Sequence, residues 1–153
     1  MARAVVFGPI LIAAFSAAAT PSVEAYRFQD TADHVRIAAV DRVTGGDDRA
    51  IVVVVIERGY HINANPASME YLIPTTLNVT SERPVRVIYP EPVRFKPKFT
   101  EDALDVYEGT IRIVAEFPAG SLSRERPLVG TLTAQACTEQ YCLPPAEIAL
   151  PGA

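Results

Sequence analysis

The sequence has no tryptophan, two histidines, two methionines and two cysteines, and only 21% of its 153 residues are charged. It has no basic run. Against 14 Lys and Arg stand 18 Asp and Glu, a formal net charge of −4. That balance removes the electrostatic reason to bind nucleic acid or an anionic membrane surface. With 49% hydrophobic residues and so small a net charge, the composition also excludes intrinsic disorder. The length favours one domain. Past the N-terminal segment, no stretch is long and apolar enough to span a bilayer. What remains for chemistry is a short menu.

The N-terminal segment has its own character. Met1-Ala2-Arg3 is a short basic start, Ala4 to Ala19 is apolar or small apart from Ser16, and Pro21 and Val23-Glu24-Ala25 follow. This is the pattern of a secretory signal peptide, with residues 1–25 removed and 26–153 forming the exported domain. The rival is a retained membrane anchor. Its apolar run is alanine-rich and falls short of the about 20 residues that span hydrocarbon. Removing the leader takes away Arg3 and Glu24, so the net charge stays at −4.

Export changes what the cysteines mean, because in an oxidising compartment two nearby thiols are able to pair. Cys137 and Cys142 flank Thr138-Glu139-Gln140-Tyr141. The spacing is neither the C-x-x-C of thioredoxin-like enzymes nor half of a four-cysteine zinc site. Closing so small a loop stabilises a fold by only about 2 kcal/mol in the chain-entropy model. A domain of this length buries a core without such help. From the spacing alone, an inert structural bridge and a redox-active pair both stand.

From Tyr26 onward the chain reads as short alternating segments between turn residues. Val35, Ile37 and Ala39 share one face of a half-buried strand, and Gly45-Gly46-Asp47-Asp48 marks a turn. Ala50 to Glu57 is a β-branched run too short for a typical helix. Ile73 to Val79, Val85 to Tyr89, Thr110 to Phe117, Leu128 to Ala136 and Ala146 to Leu150 continue the theme. About seven strands and no convincing amphipathic helix predict an all-β fold, an antiparallel β-sandwich of immunoglobulin-like type. The 13 prolines fit loops and edges. Gly59 to Pro66 and Pro90 to Val106 do not read as simple strands, and unstructured loops of such length are often functional. Asn78-Val79-Thr80 has the form of a glycosylation acceptor, but it falls in an expected strand behind a leader of bacterial character.

The stretch LVGTLTAQACTEQYCLPP, Leu128 to Pro145, resembles the end of the N-terminal periplasmic domain of the thiol–disulfide interchange protein DsbD. Arg58-Gly59-Tyr60-His61 with Asn63-Ala64-Asn65-Pro66 is similar to that family's Gly-aromatic segment. Leu72 to Thr75, Tyr89-Pro90 and Val106 to Gly109 follow in the family's order. The resemblance covers Arg58 to Leu150 and carries the same immunoglobulin-like fold. It implies an electron relay that needs no metal and no cofactor. A thioredoxin-like donor reduces the cysteine pair, which then reduces oxidised periplasmic thioredoxin-fold acceptors, among them isomerases and cytochrome c maturation factors. It further implies that Cys142 forms the mixed disulfide and Cys137 resolves it. Tyr60 and His61 are expected beside the pair, and a cap loop at Phe95 to Phe99 is expected over it. The family's membrane electron conduit and thioredoxin-like domain are not encoded in these residues, so either separate proteins supply the electrons or the fold serves another purpose.

The residues themselves set the chemistry that any such role must use. Exchange proceeds by thiolate attack through a mixed disulfide and needs one accessible sulfur. A hairpin with Cys137 ending one strand and Cys142 starting the next would place their Cα atoms about 4.5–5.5 Å apart. The neighbours in sequence offer no cation to stabilise a thiolate, and Glu139 opposes one. A spatial neighbour such as His61 would change that. A Cu(I) site built from Cys137, Cys142, His61 and Met69 has soft ligands but matches no known ligand spacing. Tyr60, Phe95 and Phe99 as packed aromatics, and His61 as an ordinary loop histidine, are the plain alternatives. The rival function is a non-catalytic exported module that binds a protein partner and carries a structural disulfide.

Overall fold

The computed structural model describes residues 29–83, 85–98, 101–123 and 126–151. The expected leader, its cleavage site and Phe99 lie outside these residues. Among the described residues the fold is an antiparallel β-sandwich with no α-helix and one 3₁₀ turn, Thr31–Asp33.

One layer is built on the two longest alternating runs. β2 (Asp48–Ile56) buries every second residue, and β8 (Thr110–Phe117) does the same. Val52 and Ile113 face each other in register, both fully buried. β1 (Val35–Val43) pairs with the free edge of β2 and β5 (Arg86–Ile88) with that of β8, giving the order β1-β2-β8-β5. The opposite layer has two parts. The first is β4 (Thr76–Val79), β9 (Gly130–Ala134) and β11 (Ala146–Ala149), in the order β11-β9-β4. Gly130 is obligatory there, because a Cβ would lie 2.4 Å from the Asn78 carbonyl oxygen.

The second part is a sheet of short strands: β3 (His61–Asn63), β6 (Val93–Phe95), β7 (Leu104–Tyr107) and β10 (Ala136–Cys137), in the order β10-β3-β7-β6. Eleven strands therefore stand among the described residues where about seven are expected from the sequence. The additional ones lie mainly in Gly59 to Pro66 and Pro90 to Val106, which do not read as strands. Runs of two to four residues are too short to display a period. Leu128 to Ala136 is also split, with Gln135 separating β9 from β10.

Polar side chains do the ordering that apolar alternation does elsewhere. The buried Asn63 donates from Nδ2 to the Ile73 carbonyl at 2.9 Å, and Asn65 Nδ2 donates to the Thr75 carbonyl at 2.8 Å. Thr75 Oγ1 in turn donates to the Asn63 carbonyl at 2.6 Å. These bonds fasten Ile73 to Thr75 against β3 where no regular ladder runs, so buried backbone groups stay paired.

Candidate functional site

The register of the short-strand sheet separates its two faces. Ala136 pairs with Ile62, and Ile62 with Tyr107; all three enter the main core together with Leu143. Cys137, one residue on, pairs with His61. Because successive strand residues point to opposite faces, Cys137 and His61 share the outer face. Val106 and Leu104 of β7 and Phe95 of β6 lie on that face too, since Leu104 pairs with Phe95 and Val106 with Asn63. Leu104 and Val106 form a small second cluster there with Leu72, against which Phe95, Met69 and Ala67 pack.

Cys142 pairs with Cys137 as an isolated antiparallel bridge, and the two form a disulfide. The Leu143 amide donates to the Ala136 carbonyl and the Thr138 amide to the Tyr141 carbonyl, both at 2.8 Å. The cysteines thus occupy the non-hydrogen-bonded site between two hydrogen-bonded pairs, the closer of the two antiparallel pairings. Their Cα atoms are 3.9 Å apart, nearer than the sequence-based expectation. Cys142 does not start the next strand either: Leu143, Pro144 and Pro145 intervene before β11.

The 3₁₀ turn holds the base of this hairpin. Thr31, fully buried, donates from Oγ1 to the Pro144 carbonyl at 2.8 Å and accepts the Ala136 amide at 2.9 Å. One side chain therefore joins the two segments that flank the cysteine pair. At the tip, Thr138 Oγ1 accepts the amides of Gln140 and Tyr141. The hairpin is fixed at both ends, and the two sulfurs are not equivalent. Cys137 is 1% exposed, whereas Cys142 is exposed to solvent.

The sequence-predicted neighbours come together here. His61 is 2% exposed, and its ring lies under Phe95 with centroids 4.2 Å apart. Burial pushes its pKa below the usual histidine value, so the ring is neutral near pH 7. Tyr60 points to the other side of β3, where it stacks on His34 at 3.9 Å. Its pKa is raised, first by desolvation and then by a side-chain hydrogen bond with Tyr141, the residue before Cys142. His34 Nδ1 meets Glu57 Oε2 at 2.5 Å. Tyr60 thus joins the cysteine loop to a His34–Glu57 pair that sequence reasoning misses, because those residues come from two different strand ends. Met69 packs with the Leu72 cluster.

Lys98 is the other residue missed. Its Nζ lies 2.9 Å from Glu139 Oε2, and that carboxylate raises the lysine pKa. The acidic charge that opposes a thiolate within the hairpin therefore meets a cation from the segment after β6. The same segment carries Phe95 onto His61, so Val93 to Lys98 touches the site at two points. Only the tertiary fold could reveal this, since 41 positions separate Lys98 from Glu139.

The family model for the thiol:disulfide interchange protein DsbD, N-terminal, matches residues 28–150. This chain belongs to that family. The crystal structure of the N-terminal periplasmic domain of ScsB from Proteus mirabilis is similar, with a TM-score of 0.55 and 20% sequence identity. The match covers 77% of this chain and 46% of that one, so the chain spans under half of its solved neighbour. No curated protein matches the chain. This member of the family has the immunoglobulin-like sandwich expected from its strand pattern and holds its two cysteines as a disulfide.

Proposed function

We propose that this domain is an exported thiol–disulfide interchange module that relays reducing equivalents between thioredoxin-like proteins. The observation that carries the reading is the asymmetry of the two sulfurs: one exposed on a fixed hairpin, the other buried behind it. An exposed sulfur is open to an incoming thiolate, and a buried partner is shielded from competing nucleophiles. A donor thiolate attacks Cys142 Sγ, and the Cys142–Cys137 bond breaks with its electron pair leaving on Cys137. The donor's second thiolate then attacks the mixed disulfide, so the donor leaves oxidised and the pair is left as a dithiol. In the forward step Cys142 attacks an acceptor disulfide, and Cys137 attacks Cys142 to release the reduced acceptor.

Tyr60 and His61 serve as neighbours of the pair, and the Val93–Lys98 segment, with Phe95 at its centre, serves as the cap. Phe99 belongs to the same reading. In this reading residues 1–25 act as the leader and 26–153 as the mature, periplasmic domain, a location supported by the solved neighbour's description as a periplasmic domain. Among the described residues, no helix is long and apolar enough to cross a membrane. The electron source in this reading is a thioredoxin-like donor on another chain, with a separate membrane electron conduit behind it, and cytochrome c maturation factors are among the acceptors. No resident metal or cofactor takes part.

The test is reduction of the oxidised domain by a thioredoxin-like donor, followed by transfer to an oxidised thioredoxin-fold acceptor. Cys142→Ser is expected to abolish transfer, and Cys137→Ser to trap the partner as a stable mixed disulfide. Transfer that persists without Cys142, or wild-type protein inert with every donor, would favour a structural bridge in a binding module.

A further inference from the structure

Reduction creates a problem that the exposed sulfur does not share. When the disulfide breaks, the electron pair is left on Cys137, which is 1% exposed, and a thiolate there is poorly solvated. It needs a proton or a cation at once. In the reverse direction the same buried thiol must lose its proton before it can attack. The hairpin supplies no base, since its only ionisable side chains are Glu139, bound to Lys98, and Tyr141.

The opposing strand supplies one. His61 faces Cys137 directly in the β3–β10 register, and register partners on one face have Cβ atoms about 4.5–5.5 Å apart. The ring is 2% exposed, and among the described residues its enclosed Nε2 has no hydrogen-bond partner. A buried polar atom left unpaired is costly and rare, so it calls for an explanation. A disulfide sulfur carries no proton to share, whereas a thiol does. A reduced Cys137, facing His61 across the register, has the chemistry to partner that nitrogen.

We propose that His61 is the proton-transfer partner of Cys137, a role that rests on the interchange reading above. In reduction, His61 carries a proton from water to the departing Cys137 sulfur and returns neutral. In resolution, neutral His61 takes the proton of the Cys137 thiol. The thiolate then attacks Cys142 of the mixed disulfide, forms the internal bond and expels the partner as a thiolate, after which His61 gives its proton to water. Two residues that are each unsuited to burial alone are suited to it together. Phe95 lies on the ring, so water reaches the pair when the Val93–Lys98 segment lifts.

The charged groups around this face are few. Glu108 follows β7 and is exposed, Glu139 is held by Lys98, and Glu70 lies exposed on the covering segment. Arg94 and Asp105 pair with each other and belong to the opposite face of β6 and β7. Cys137 of β10 faces the imidazole in register, Phe95 of β6 lies on the ring, and the β3–β7 pairing continued by one residue brings the exposed Glu108 to its other side. Of these two titratable groups beside Cys137, His61 is the buried one.

The experiment reacts the reduced domain with an aromatic disulfide whose thiolate is coloured on release. The first release reports Cys142 attacking the reagent, and the second reports Cys137 resolving the adduct. His61→Phe keeps a ring beneath Phe95 and is expected to slow the second phase by about 100-fold or more at pH 7, the scale of a lost acid–base group. It leaves the first phase within about twofold and moves the second-phase inflection up toward that of a free thiol, about 8.5 or above. His61→Gln, which hydrogen-bonds but does not titrate near neutrality, is expected to behave alike. An unchanged second phase overturns the proposal. So does slowing in both variants with the inflection unmoved, because that is a packing effect. Survival of the first phase in Cys142→Ser would instead reverse the order of the sulfurs and sink the interchange reading as stated. In that case His61→Phe would slow the first phase, so the two failures are told apart.

Discussion

The two faces of the β10-β3-β7-β6 sheet use the same strands for different purposes. The inner row, Leu143, Ala136, Ile62 and Tyr107, runs into the main core. The adjoining outer row, Cys142, Cys137 and His61, carries sulfur and imidazole on the face that also holds a separate, smaller cluster. One residue of register divides a face that holds the fold from a face that can react. A one-residue slip would exchange them, which is why the Thr31 clamp and the Asn63 bonds matter beyond their number. The lesson is that burial serves two ends here. Inside, it supplies stability; outside, it keeps one sulfur and one imidazole out of water, with Phe95 lying on the ring.

The contrast can be broken by removing one side chain from each face. Ile62→Ala deletes a fully buried side chain of the inner row and is expected to cost about 2–5 kcal/mol, read from denaturant unfolding of the oxidised domain. A loss under about 1 kcal/mol would mean that this row is not part of the main core. Phe95→Ala uncovers the outer row instead. Reduction of the disulfide by a small thiol is expected to speed up about fivefold, the factor that about 1 kcal/mol of lost cover represents. An unchanged rate would show that Phe95 does not shield the pair.

Two smaller effects sharpen the comparison further. Burial holds the His61 pKa below its unfolded value, so its share of stability is complete above about pH 6.5. That share is lost as pH falls from there through the depressed folded value, because the unfolded chain then binds the extra proton. His61→Phe is expected to remove this part of the slope, and titrated unfolding curves of the two proteins would show it. Lys98→Gln is expected to do least. The Lys98–Glu139 pair is exposed, and exposed pairs contribute little and are screened by salt. Any gain in small-thiol reduction should stay within about threefold at low ionic strength and vanish near about 1 M salt, where the screening length is only about 3 Å. A larger gain that persists at high salt would assign the segment's closure to something other than this pair.

The main sandwich was legible because its strands are long. Asp48–Ile56 and Thr110–Phe117 show their alternation over eight or nine residues, and the structure buries the faces the pattern indicates. His61–Asn63 and Ala136–Cys137 offer no period to read, and they are the strands that hold the site. The cysteine spacing predicted a hairpin pair and did not distinguish the sulfurs. Tyr60 and His61 were both expected beside the pair, and opposite pointing from one strand sends them to different partners. Lys98, His34 and Thr31 had no signal in sequence, because each acts through a neighbour brought by another element.

By itself the sequence determined the all-β class, the long strands and the two cysteines available to pair. Side-chain alternation and covalent chemistry are local properties, readable wherever the run is long enough or the element rare enough. Tertiary structure alone decided which sulfur meets solvent, which side chain faces the buried one and which segment packs on that neighbour. Those depend on register and packing between strands far apart in the chain, and a shift of one residue would have given the same sequence a different site.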